Sequence, residues 1–128
     1  MTTITFESVH KAFNYYHEGP PASYSPILTI EEDPEYGKTV VQFFIERTIT
    51  HGDFGRIYHW VVQARQIYVE AGTDYTISQW YVCPSEFVCY DDAVAFADYA
   101  LARAKVRGSL GASGMQWDDS VDDKGNPL

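Results

Sequence analysis

Cysteine is scarce in this sequence: Cys83 and Cys89 are the only two, too few for a disulfide scaffold, and their six-residue spacing fits no common zinc pattern. They read as free thiols, with a single bridge as the alternative. Positive charge is equally thin. Nine Lys and Arg stand against 18 Asp and Glu, a formal net charge of −9. Proteins that bind nucleic acid directly concentrate cations to displace counterions from phosphates, so this balance argues against a DNA or RNA partner. No window approaches the roughly 18 consecutive apolar residues of a membrane-crossing helix. The opening Met1-Thr2-Thr3-Ile4-Thr5-Phe6-Glu7 lacks a basic flank and an apolar signal core. A cytoplasmic protein without a membrane partner is the expectation.

Local catalytic patterns are missing too. The chain has no phosphate-cradling glycine loop, no His-Glu-x-x-His helix and no Gly-x-Ser-x-Gly elbow. His10 and His17 lie two helical turns apart, too far to share a metal without a third group. His51 falls in a hairpin turn and His59 on a strand beside Trp60, with no partner given by spacing. Cys89 precedes a helix whose positive end favours a thiolate, but Asp91 and Asp92 oppose it. The acidic run Glu31-Glu32-Asp33-Pro34-Glu35 lacks the alternating oxygens and central glycine of a calcium loop. No catalytic residue, metal or cofactor is therefore assigned.

What is present is one domain's worth of chain, 128 residues and 45% hydrophobic, with aromatics at 16%. Val9, Phe13 and Tyr16 repeat at helical spacing over residues 8–18, and Gly19-Pro20-Pro21 ends that pattern. Strands are expected at 27–32, 39–50, 56–69 and 75–83, separated by Asp33-Pro34-Glu35-Tyr36-Gly37-Lys38, by 51–55 and by 70–74. A second helix over 91–106 carries Ala93, Val94, Ala97, Leu101 and Ala104 on one side, with acids at its start, bases at its end and Gly108 as its stop. The fold predicted is a two-layer α+β sandwich in the order helix, four-stranded antiparallel meander, helix. It spans residues 1–108, with 109–128 as a flexible acidic tail holding Asp118, Asp119, Asp122 and Asp123.

Alternation along the two long strands separates two faces. Tyr58, Trp60, Val62 and Ala64 form an unbroken apolar run suited to the helices. Phe44, His59, Val61, Arg65 and Ile67 lie on the opposite side, apolar groups mixed with polar ones in the manner of an interface. Two helices about 10 Å wide cover only one face of four strands spaced about 4.8 Å apart. The function expected is a non-enzymatic interaction module, an adaptor or inhibitor that occludes a surface. Its partner is itself, as a homodimer, or another protein, in the sharper version a basic nucleic-acid-handling protein held by an acidic inhibitor. The competing expectation is a ligand binder or enzyme with an aromatic pocket of Tyr58, Trp60, Trp80 and Tyr81 between sheet and helices, contacted by His59 and Arg65.

Overall fold

A computed structural model describes residues 4–8 and 20–120. The long hairpin is its frame. Strands β4 (Gly37–Gly52) and β5 (Gly55–Glu70) pair antiparallel along their whole length, and β6 (Thr76–Phe87) continues the meander beside β5. The other edge of β4 takes β3 (Leu28–Asp33) near its start and β2 (Ala22–Tyr24) near its middle, with β1 (Glu7–Ser8) outside β2. A short β7 (Gln116–Trp117) pairs with β6, giving a seven-stranded antiparallel sheet.

Local chemistry explains the joints. Asp33 accepts the amides of Glu35 and Tyr36 at 2.8 and 3.3 Å, which closes the β3–β4 turn. Pro26 separates β2 from β3, and Ser25 bridges the break. Its amide donates to the Phe43 carbonyl at 2.9 Å, while its hydroxyl accepts the Phe43 amide at 2.8 Å and donates to the Pro26 carbonyl at 2.7 Å. A side chain thus supplies a ladder bond that the irregular backbone does not, and no buried amide is left unpaired there.

Helix α1 (Tyr90–Arg107) is the one α-helix among the described residues. Ala93, Ala97, Ala100 and Ala104 form its buried stripe, and Gly108 ends it in the left-handed region with its amide on the Ala104 carbonyl. The stripe lies on the Trp60 side of the sheet, against Val41, Phe43, Ile45, Trp60, Val62, Ala64, Tyr81 and Cys83. Trp60 donates its indole N–H to the Pro20 carbonyl at 3.2 Å and meets the Tyr90 ring edge-on.

The predicted sandwich of two helices and four strands is not the fold. The strands, turns and helix expected between residues 27 and 107 are found within a few residues of their expected places. Three short strands, β1, β2 and β7, join them in a sheet-dominated architecture. The first predicted helix, over residues 8–18, falls outside the described residues except for Ser8, which pairs with Ser23 in β1. Nor does a solvated tail begin at Ser109. A 3-10 turn at Leu110–Ala112 leads into Ser113 and Met115, and Leu110, Ser113 and Met115 are all buried. The physical reason is specific docking: the Leu110 amide donates to the buried Gln66 side chain at 2.8 Å, and Trp117 meets Tyr81 edge-on.

Candidate functional site: the face of the sheet opposite the helix

Because α1 occupies the Trp60 side, the even-numbered residues of β4 and the odd-numbered residues of β5 share a face that carries no helix among the described residues. Register sorts this face into rows running across the strands. Lys38, Val69 and Thr76 form the first, Val40, Ile67 and Ser78 the second, and Gln42, Arg65 and Trp80 the third. Phe44, Gln63 and Val82 make the central aromatic and aliphatic row, extended by Tyr24 on β2. The next row sets Val61 between Glu46 and Glu86.

These side chains support one another without being closed off. Phe44, His59, Val61, Arg65, Ile67, Trp80 and Val82 are all half-buried. Phe44 and Trp80 lean together over the central strand with ring centroids 5.6 Å apart. Arg65 donates from Nε to Ser78 Oγ at 2.7 Å, and His59 Nδ1 stands 3.8 Å from Glu86 Oε2. At the edge, the Tyr24 hydroxyl donates to Glu7 at 2.9 Å, and that bond holds the phenol above its ordinary pKa. The Trp80 indole N–H has no acceptor among the described residues.

The structure therefore brings Phe44, His59, Val61, Arg65 and Ile67 onto one face. It does not assemble the alternative pocket. Trp60 and Tyr81 are buried in the helix-side core and Tyr58 lies half-buried on the same side, but Trp80 follows the alternation to the opposite face. His59 and Arg65 also face away from Trp60. The residues that sequence reasoning left out of the open face are Trp80, Val82 and Glu86, all on β6. The hairpin tip fixes the partner of Glu46, since Gly52 pairs with Gly55 and counting back gives Val61. The β6 residues were harder to place, because Val62 is opposed by three residues, Cys83 to Ser85, and the bulge shifts the register. Pro84, which has no amide to give a ladder, is the sequence signal for that bulge.

The thiols lie elsewhere. Cys83 is buried on the helix side, and burial pushes its pKa up against a smaller lowering by a backbone hydrogen bond at Ser85. Thiolate is the reactive form, so Cys83 in the native protein is expected to alkylate at neutral pH on the order of 10-fold or more slowly than in denaturant. Peptide mapping after iodoacetamide treatment measures this, and equal labelling in both states would contradict the burial. Among the described residues, no three His, Cys, Asp or Glu side chains converge in a way that would hold a metal ion. No described helix is long and apolar enough to cross a membrane. No protein-family model, curated protein or solved structure matches the chain, so a functional reading has to stand on the geometry of this face.

Proposed function

We propose that this chain is a non-enzymatic protein-interaction module that works by laying the open face of its sheet against another protein. The observation that carries this reading is the row structure of the face. Phe44, Trp80, Val82, Val61 and Ile67 give a contiguous apolar centre, and Lys38, Arg65, Glu46 and Glu86 place charges of both signs around it. An apolar and aromatic centre with a polar surround is the anatomy of a protein interface. Mixed signs favour a protein surface over a strip of phosphate-like negative charge, so the face itself favours the general module over the acidic inhibitor of a nucleic-acid-handling protein.

Val61→Lys tests the reading. In the free chain the new ammonium sits between Glu46 and Glu86 and gains their attraction. In a closed interface the same charge is stranded, at a cost of several kcal/mol. Immobilised wild-type protein is expected to retain partners from a lysate of its native host that Val61→Lys releases. Tyr99→Ala, on the exposed side of α1, should retain them. An identical set of bound proteins on wild type and Val61→Lys would overturn the proposal.

A further inference from the structure

Strand β2 stops opposite Glu46 and β6 stops opposite Trp60, so the β4–β5 hairpin runs on to its Asp53-Phe54 turn with no third strand among the described residues. Ile49, Phe54 and Ile57 are all exposed there, Phe54 completely. Alternation identifies the main-chain groups left open. Ser25 donates its amide to the Phe43 carbonyl and Arg47 donates its own to the Pro21 carbonyl, so the odd-numbered residues of β4 turn their main chain toward the β2 edge. Ile49 and His51 follow in the same sense, and their amides and carbonyls have no hydrogen-bond partner among the described residues. We infer that this edge, residues 48–52 of β4, pairs antiparallel with the same edge of a second copy about a two-fold axis at Thr50. The inference goes beyond the reading of the face opposite the helix, because it uses a different surface and stands or falls separately.

A two-fold axis perpendicular to the sheet pairs a strand edge antiparallel with itself, so each open amide meets an open carbonyl. With Thr50 opposite its counterpart, Ile49 lies opposite His51 of the other copy, and each such pair exchanges main-chain hydrogen bonds. The register also fits the ends of the segment. Opposite Arg47, where Pro21 occupies the edge, would come Asp53 of the other copy, and there that chain has turned away. Pairing therefore stops where β2 begins, and Phe54 of each copy comes beside Pro20 and Pro21 of the other. The remaining edges are guarded. Strand β3 carries a bulge between Thr29 and Glu31, the acids Glu31, Glu32 and Asp33, and Pro26 and Pro34 at its ends. The part of β6 before Trp80 is bordered by Asp74 and by Asp118, whose amide caps the Trp80 carbonyl. Residues 48–52 hold no proline, lysine, carboxylate or bulge, and Thr48, Ile49 and Thr50 are strand formers. Charge selects the occupant. Each chain has a net charge of −9, yet the single acid between Glu46 and Glu70 is Asp53, so this is the edge at which the carboxylates of two copies crowd least.

Because Thr50 sits at the axis, its side chain meets its own counterpart, and a charge placed there reports on the pairing directly. Wild type, Thr50→Lys, Thr50→Glu and an equimolar mixture of the two variants are compared by sedimentation equilibrium up to about 1 mM. That range is needed because a pairing this short falls below the roughly 1,200 Å² of specific interfaces and associates weakly. Wild type is expected to dimerise. Each variant alone should associate on the order of 10-fold or more weakly, because like charges directly opposite repel, and the mixture should recover wild-type association or exceed it. Thr50 is exposed, and circular dichroism checks that each variant keeps its fold. Amide hydrogen exchange gives a second reading that needs no variant: the Ile49 and His51 amides of wild type should exchange several-fold more slowly as its concentration rises. A wild type that is monomeric throughout overturns the inference, leaves the edge to an extended segment of another protein, and does not touch the reading of the opposite face. A dimer whose variants and mixture all associate as wild type does, or whose Ile49 and His51 amides exchange alike at every concentration, also overturns it, because the contact then lies elsewhere.

Discussion

Gly37→Ala is expected to lower the melting temperature by roughly 10–20 °C, the equivalent of about 3–5 kcal/mol in a chain of this size. Gly37 opens β4 with φ at 134°, a conformation that residues with a side chain rarely adopt. A Cβ there would overlap the carbonyl oxygen of Val69, with the Ala71 amide nitrogen and Glu70 Cα each 3.1 Å away. All three obstacles are backbone, so no rotamer change relieves them. The crowding arises because two turns meet at this point: Ala71 donates its amide to the Tyr36 carbonyl at 3.1 Å, and the Tyr68 hydroxyl donates to the same carbonyl at 2.6 Å. Gly72→Ala provides the contrast. It also has positive φ, but nothing lies within 4 Å of its Cβ, so it bears backbone strain alone and should fall by a few degrees. Equal melting temperatures for the two variants would show that the turns do not pack as described.

Deleting residues 109–128 should be more damaging still. It removes Leu110 and Met115, both essentially inaccessible to solvent, and burying a large aliphatic side chain is worth about 2–5 kcal/mol when measured by truncation. It also strips Gln66 of the amide that its buried side chain accepts, and exposes the edge of β6 where Asp118 now donates to the Trp80 carbonyl at 2.8 Å. The combined loss approaches the whole stability of a small domain, roughly 5–15 kcal/mol. The truncated chain is expected to melt at least roughly 15 °C below the full chain, or to show no cooperative transition. A fall smaller than about 5 °C would mean that the segment contributes nothing to the core.

That segment also shows where sequence reasoning stops. Residues 109–117 hold Leu110, Met115 and Trp117 among glycines and serines, with no period to read, and what fixes them is Gln66 and Tyr81 far away in the chain. The same holds for β2: Ala22-Ser23-Tyr24 is too short for alternation to register, and its pairing with Phe44, Ile45 and Glu46 is a tertiary choice. The serines mislead in the same direction. Ser23, Ser25 and Ser113 are all buried, although serine is ordinarily an exposed residue. By contrast, α1 was legible because its alanines repeat at helical spacing and its ends carry the right charges and a glycine stop. The two long strands were legible because strict alternation over 16 residues leaves no ambiguity about faces. The open face was therefore readable on β4 and β5, where Phe44, Val61 and Arg65 lie, and unreadable on β6, where the bulge hides which residues complete each row.

Helix α1 closes the Trp60 face of the sheet, and on the proposed reading a partner protein closes the other. Val61 and Val62 are neighbours on β5 that point to opposite faces, so thermal melts of Val61→Lys and Val62→Lys, followed by circular dichroism, test it most directly. Val62 is fully buried beneath the helix, and a lysine there should abolish the cooperative transition. Val61→Lys, flanked by Glu46 and Glu86 on the open face, should melt within about 3 °C of wild type at concentrations where the chain is monomeric. A Val61→Lys chain that unfolds as Val62→Lys does would contradict the account, because both faces of the sheet would then belong to the core.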